Sequence, residues 1–256
     1  QLIGTWNADN NNRVAIDYNG LSPHLVHALV ATEDERFYEH SGVDFIALGR
    51  AVVKRGVMGQ ASAGGGSTIT QQLAKQLFSE KAHSTVERLL QKPIEWIIAV
   101  KLERHFTKEE ILAMYFNYFD FLHNAVGIKR AANVYFNKEP RKLTVTEAAM
   151  LVGLCKNPSM FNPLRYPERC KQRRNVVLMQ MVKSGYVTKA EYDELSQRPL
   201  GLHFTKAKPV SGAADYFQAY LRQYMMAKKP VREDYQAWQN RQFVLDSIAW
   251  EQDPLY

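Results

Sequence analysis

Residues Ser22–Gly42 read SPHLVHALVATEDERFYEHSG, and the fold follows from how this stretch is read. Ser22 is an N-cap candidate and Pro23 fits the first helical position. The spacing predicts a helix from there to about Tyr38, stopped by Gly42. Its first half is apolar, but its second half turns abruptly to Glu33-Asp34-Glu35-Arg36-Phe37-Tyr38-Glu39-His40. On a continuous helix Glu33, Phe37 and His40 fall at i, i+4 and i+7 and share a face. A carboxylate beside an aromatic wall, partly desolvated, suits general acid or base work. The plainer alternative is a solvated helix end with Glu33 and Arg36 as an ion pair.

Helix signals continue outward from this segment. Asp44 can cap a second helix whose apolar face is Phe45, Ile46, Leu48, Val52 and Val53, ending near Gly56. Residues 56–66 hold five glycines among small polar residues and read as a mobile loop, with a helix from about Thr68 to Phe78 after it. Thr107–Glu110, Thr144–Glu147 and Thr188–Glu191 each match the Thr-x-x-Glu capping box. Pro167 opens another helix and Gly185 closes it. Alternation typical of strands is scarce, with Gly201–Lys208 the best short candidate. The fold class is therefore mainly α. From about Ser211 onward Tyr, Gln and Trp accumulate without strong core periodicity, as in a linker or partner surface.

A chain of 256 residues, 46% hydrophobic and 23% charged, has enough material for a sizeable core and excludes disordered and disulfide-scaffold classes. The 33 Lys and Arg against 26 Asp and Glu give a net charge of +7, which favours an anionic partner. Cys155 and Cys170 read as two unpaired thiols. No apolar run reaches the roughly 18 residues of a membrane-spanning helix. The abrupt start at Gln1-Leu2-Ile3 reads as a fragment of something longer, with any anchor cut away.

Gly64-Gly65-Gly66-Ser67-Thr68 stands directly before a helix, where free backbone N–H groups favour an anion. It lacks the Gly-Lys-Ser/Thr ending of a nucleotide P-loop. On a helical wheel Thr68, Gln71, Gln72, Lys75 and Ser79 share one side and Ile69, Leu73 and Leu77 another. Arg88, Lys92 and Glu95 fall at i, i+4 and i+7, although Pro93 fits better a helix that begins near Lys92 and leaves Arg88 outside. Ile94, Trp96, Ile97, Ile98 and Val100 crowd around Glu95 and place it near buried surface. Arg173-Arg174-Asn175 lies on the polar side of a helix whose Val177, Leu178 and Met181 face the core, ordinarily a solvated face. His24 and His27 lack the carboxylates or the His-Glu-x-x-His pattern of a metal site.

In this order the segments resemble peptidoglycan glycosyltransferase family 51, the polymerase domain of class A penicillin-binding proteins and of monofunctional glycosyltransferases. The resemblance runs from about Leu21 to Tyr186 and includes five ordered motifs. They are Glu33-Asp34 through Phe37, His40 and Gly42; Gly65-Gly66-Ser67-Thr68 through Gln71-Gln72 and Lys75; and Lys92 with Glu95. Ile111-Leu112 with Tyr115 and Asn117, leading to Gly127-Ile128 and Tyr135-Phe136, comes next, and Arg173-Arg174-Asn175 with Val177, Leu178 and Met181 is last. The sequence departs from the family at Gln91, Gln76, Leu122 and Asn124, where Arg, Asn and glycines are usual. Asn tolerates a left-handed backbone and Leu does not.

The resemblance implies a lysozyme-like fold with a large lobe and a small membrane-associated jaw. It divides the chain into a lead-in over 1–20, the glycosyltransferase domain over 21–200, and a linker toward a missing transpeptidase domain over 201–256. It also implies polymerisation of lipid II: the 4-hydroxyl of an acceptor GlcNAc attacks C1 of a donor MurNAc with inversion, making β-1,4 glycan and releasing undecaprenyl diphosphate. Glu33 would be the catalytic base and Glu95 the second catalytic carboxylate. Ser67, Thr68, Gln71, Gln72, Lys75, Lys92 and Arg88 would hold phosphate and sugar oxygens, with Asp34 beside them and Phe37 and His40 shaping the wall. No tightly bound cofactor is implied, though Mg or Mn ion would assist the diphosphate.

The expected partners are lipid II, the nascent glycan strand, the membrane surface, moenomycin-type inhibitors and cell-wall assembly proteins, but not nucleic acid. The expected place is the outer, periplasmic face of the bacterial cytoplasmic membrane. The stretch Val43–Met58, with Arg50, Lys54 and Arg55 beside apolar residues, suits a lipid interface. No Ser-x-x-Lys occurs, so the penicillin-reactive nucleophile motif is absent from this chain. The competing readings are a lysozyme-like glycosidase or lytic transglycosylase using Glu33 as acid, and a non-catalytic lipid II-binding module. Diphosphate release requires clustered Lys75 and Lys92, and glycoside hydrolysis does not.

Overall fold

A helix that is apolar on every side has to lie inside, and α1 (Pro23–Glu33) does: Leu25, Ala28 and Leu29 are fully buried. The computed structural model describes residues 14–56, 66–78, 85–205 and 229–252. Two compact units emerge, one of Arg13–Ala207 and one combining the chain's two ends, Gln1–Asn12 and Lys208–Tyr256. In the larger unit α1 packs on α7 (Val145–Lys156) and α8 (Pro167–Lys183), and α7 on α8. α7 is buried almost throughout, from Glu147 to Leu154. α3 (Ile69–Phe78) packs on α4 (Thr85–His105) and α5 (Lys108–Tyr118), and α9 (Lys189–Gln197) closes over α8. α2 (Phe45–Gly56) and α6 (Ile128–Phe136) complete the unit.

Local chemistry sets the helix starts where the sequence marks them. Ser22 accepts the His24 amide at 3.3 Å and its hydroxyl donates to the Leu143 carbonyl at 3.1 Å, so one cap also ties α1 to the segment before α7. All three Thr-x-x-Glu boxes close reciprocally at α5, α7 and α9. α8 starts at Pro167, and Gly185, at φ +76°, donates to the Val182 carbonyl beyond its end.

Two expectations are corrected. Pro93 does not mark a helix start: α4 runs through it, so Arg88 lies within the helix, although its side chain is outside the described residues. The cost of roughly 3 kcal/mol for an interior proline is carried by a long helix anchored on α3 and α5. Gly201–Lys208 forms no strand over its described part. His203 and Thr205 donate to the Tyr135 and Val134 carbonyls at 2.8 Å each, so this extended segment satisfies the orphan end of α6. Among the described residues the one β-type pairing is an isolated bridge between Asp120 and Val126. In the tail, short 3-10 turns precede α10 (Asn240–Gln252), where Tyr235 donates to Asp246 at 2.8 Å and packs on Phe243.

The turn between α5 and α6 places Leu122, His123 and Asn124 all at positive φ, between 53° and 67°. Each such L residue costs about 1–2 kcal/mol. The Leu122 amide is held by the Asp120 carboxylate at 2.8 Å and the Phe121 carbonyl by the Tyr135 hydroxyl at 2.6 Å, which fixes the turn against that strain. Asn117 exchanges two hydrogen bonds with the Ile16 backbone, at 3.1 and 2.8 Å, and so binds the N-terminal segment to α5. Ile16, Tyr18, Leu202 and Phe204 all pack against the core. No helix among the described residues is long and apolar enough to cross a membrane.

Glu110 and Glu191 accept from the cap threonine's amide and hydroxyl, and these bonds hold both carboxyls below their ordinary value of 4.5. A folded value below the unfolded one contributes stability above that pH, lost as pH falls through the folded value. The double variant Glu110→Gln/Glu191→Gln should therefore melt below wild type at about pH 7, with the gap closing by about pH 3; thermal melts at the two pH values check this.

Candidate active site

α1 ends at Glu33, not at Tyr38. Asp34 leaves helical geometry at φ −159°, ψ 76°, and a short 3-10 turn follows at Phe37–Glu39. The cause is the demand on the Asp34 carboxylate. Its Oδ2 accepts the Ile69 amide at 3.0 Å, at the start of α3, and also lies 3.0 Å from Nε2 of His40. A buried carboxylate has to find such donors, and a continued helix would carry it past them. The one-face alignment of Glu33, Phe37 and His40 is lost with the helix.

Phe37 is fully buried, edge-on to His40, with the Lys108 ammonium 4.3 Å from its ring centroid. His40 is bound inward: Nδ1 approaches Glu103 at 4.0 Å, and Glu103 accepts from Lys108 at 2.7 Å and from Thr70 at 2.5 Å. Lys108 also donates to the His40 carbonyl at 2.7 Å. Asp34, Phe37 and His40 thus build the frame of the site. Glu103 and Lys108 belong to that frame without having been singled out from sequence; the available signal was Glu103 at i+8 from Glu95, on the same stripe of α4.

Thr68 is likewise committed inside the protein. Its hydroxyl donates to the Gly42 carbonyl at 2.6 Å and accepts the Gln71 amide at 3.1 Å, which caps α3. Gln71 is buried with both amide atoms unpartnered, whereas Lys75 stands exposed on the same helix. The single donor face expected for Thr68, Gln71, Gln72 and Lys75 is therefore split between core and surface. Gln72 reaches the site itself: Nε2 donates to Glu33 Oε2 at 3.0 Å while Oε1 accepts the Tyr115 hydroxyl at 3.1 Å.

Glu33 is 18% exposed at the wall of a cleft of about 300 Å³ lined also by Thr32, Asp34, Arg50, Ser67 and Gln180. Its Oε1 lies 3.6 Å from Arg173 of α8. Lys92 pairs with buried Glu95 at 2.6 Å and reaches the Ser67 hydroxyl at 3.3 Å, bringing the third motif to the cleft wall. Residues 57–65, most of the glycine-rich loop, lie outside the described residues.

The fifth motif is not a solvated face. Arg174 is 1% exposed and donates to the Ser196 and Pro199 carbonyls at 3.0 Å each, which ties α8 to the end of α9. Burial lowers the Arg173 guanidinium from its ordinary value, and the Glu33 carboxylate offsets part of that. Both cysteines are free, and burial pushes Cys170 up to about 12 and Cys155, near Glu33, further still. His27 stacks on Tyr186 at 4.2 Å.

The family model described as Transglycosylase matches residues 1–182. The chain belongs to the transglycosylase family. Penicillin-binding protein 1A of Aquifex aeolicus is 39% identical over 229 residues, covering 89% of this chain and 30% of that protein. Penicillin-binding protein 1F of Bacillus subtilis is 40% identical over 210 residues, 82% of this chain and 28% of that protein. A crystal structure of penicillin-binding protein 1A from Haemophilus influenzae matches 61% of this chain and 19% of its own at 29% identity and a TM-score of 0.37. The chain spans less than a third of the length of these relatives. The described residues of this family member are mainly α-helical.

In this transglycosylase domain Gly42 is where the first motif meets α4. At φ +94°, a Cβ there would lie 2.8 Å from backbone atoms of Ala99 and Val100. Gly42→Ala should cost about 3 kcal/mol or more, from overpacking and left-handed strain together, and should displace the Thr68 contact; urea unfolding compared with wild type measures it.

Proposed function

We propose that the chain polymerises peptidoglycan glycan strands, transferring the lipid-linked disaccharide-peptide of lipid II with inversion to form β-1,4 glycan and release undecaprenyl diphosphate. The observation that carries this reading is the setting of Glu33: a carboxylate on the cleft wall whose two oxygens face donors, Gln72 and Arg173. That pairing suits an ionised, acceptor-only carboxylate, which is what a base requires. A glycosidase acid in the same place would need a proton on one of those oxygens.

In the proposed reaction the acceptor 4-hydroxyl gives its proton to Glu33 as its oxygen bonds C1. The bond from C1 to the diphosphate breaks, and its electron pair leaves on the diphosphate oxygen. Once protonated, Glu33 leaves Arg173 uncompensated, which favours returning the proton to water and restoring the base. Lys92, which reaches the Ser67 hydroxyl on the cleft wall, and Lys75 are assigned to meet the negative charge gathering on the leaving group. Glu95 is paired with Lys92, and charge neutralisation is assigned to the lysines, with Mg or Mn ion as the expected assistant of the diphosphate.

Membrane association is part of the same reading. Phe45, Ile46 and Val53 of α2 are 71%, 59% and 54% exposed, and Arg50 is exposed beside them. An apolar face left open beside a basic residue is the arrangement expected of a helix lying in a lipid interface. Ile94 and Ile97 of α4, 57% and 59% exposed, add apolar surface of the same kind. These exposures support the reading that the domain works at a membrane surface, on the outer face of the cytoplasmic membrane where the proposed substrate is anchored.

Labelled lipid II with this chain should give long, lysozyme-sensitive glycan. Glu33→Gln should slow polymerisation by about 10²–10⁴-fold with lipid II binding kept, the usual weight of general base catalysis. Lys75→Ala should raise KM and lower kcat together, because its charge meets the diphosphate in both ground and transition states. Product sizing on gels reads both variants.

A further inference from the structure

We infer that Arg173 and Tyr115 are positioning residues that clamp the Glu33 carboxylate from its two sides, Arg173 directly and Tyr115 through Gln72. This rests on the proposed role of Glu33 as base.

Two adjacent arginines on α8 have opposite tasks. Arg174 is buried with its donors on backbone carbonyls, a structural stitch between α8 and α9. Arg173 is partly buried, its side chain 10% exposed, but it lies near the ring of Phe161 and turns to Glu33, and its Nε is buried without a hydrogen-bond partner. A buried guanidinium left partly unsatisfied is costly, and its place on the cleft wall gives the cost a purpose. The helix packing admits it by design of sequence: a Cβ on Gly153 of α7 would lie 3.2 Å from the Arg173 Cγ, so glycine there leaves the side chain its path.

The second arm fixes an amide. A glutamine can face a carboxylate with either end, and the wrong end would set oxygen against oxygen. The fully buried Tyr115 hydroxyl donates to Gln72 Oε1 at 3.1 Å, which leaves Nε2 for Glu33 Oε2 at 3.0 Å. The carboxylate plane is thereby set from α3 and α8 at once. Proton transfer is sensitive to such placement, and a misplacement of about 1 Å can cost a hundredfold.

Among the described residues, the groups set against Glu33 are Gln72 from α3, Tyr115 from α5, Cys155 from α7 and Arg173 from α8. Burial pushes Tyr115 and Cys155 well above their ordinary values, so both are neutral and Arg173 is the charged member of the set. The test measures kcat and KM for lipid II, the pH profile of kcat and Tm for wild type, Arg173→Gln, Arg173→Lys and Tyr115→Phe. Arg173→Gln should lose about ten- to a hundredfold in kcat with little change in KM, and the acid limb of its profile should move to higher pH as the cation is lost. Arg173→Lys should restore much of both. Tyr115→Phe should lose about tenfold in kcat with the acid limb unmoved. Wild-type kcat in Arg173→Gln, or a loss that follows Tm alone with an unmoved acid limb in Arg173→Gln and no rescue by Arg173→Lys, overturns the inference while the polymerase reading stands. A wild-type chain that leaves lipid II unconverted overturns that reading and this assignment with it.

Discussion

The structure turns on one buried carboxylate. Asp34 receives the first amide of α3 and the His40 ring, each at 3.0 Å. Because a charge taken out of water has to be met by donors, the chain must leave α1 at Asp34 and double back through the turn to His40. Two results follow from that single demand. Glu33 becomes the last residue of a rigid, buried helix and projects into the cleft, and α3 is held with its start against the first motif. Thr68 repeats the tie from the other side by bonding Gly42, whose own backbone touches α4.

Polar residues outside the cleft extend this frame. Glu103 accepts from Thr70 and Lys108 and stands 4.0 Å from the His40 ring, and Lys108 returns to the His40 carbonyl. Such networks are stabilising when satisfied and specify one arrangement of the helices. The frame joins α3, α4 and α5, which pack together as a group, and the clamp on Glu33 draws on α3, α5 and α8. The chemistry thus sits where helices from different parts of the larger unit converge, and the glycosyltransferase role proposed for Glu33 depends on packing far along the sequence from residue 33.

What was legible in the sequence was local. Capping boxes, the Ser22-Pro23 start and the Pro167 and Gly185 boundaries concern residues within one turn of each other, so short-range chemistry decides them. The end of α1 was not legible, because the groups that call for it, Ile69 and His40, include one 35 residues away. The same holds for Arg173, whose spacing on α8 gives a polar face while its partner stands on α1. Helical periodicity alone also cannot tell a core face from a face kept open: it gives α2 an apolar face, and Phe45 and Ile46 on that face are exposed. Pro93 misled for a related reason, since the tertiary support for α4 has no local signature. The chemistry-bearing residue types were visible from motif order, but which of them touch a ligand and which build the frame required the three-dimensional contacts.

The most direct test of this account is Asp34→Asn, which keeps the shape and removes the charge. Hydrogen exchange at the Ile69 amide and lipid II turnover should be measured on the same preparation. The account predicts that protection of Ile69 falls and turnover drops by about ten- to a hundredfold together, as the start of α3 loosens and Glu33 shifts. Turnover near wild type with the Ile69 protection lost would contradict it.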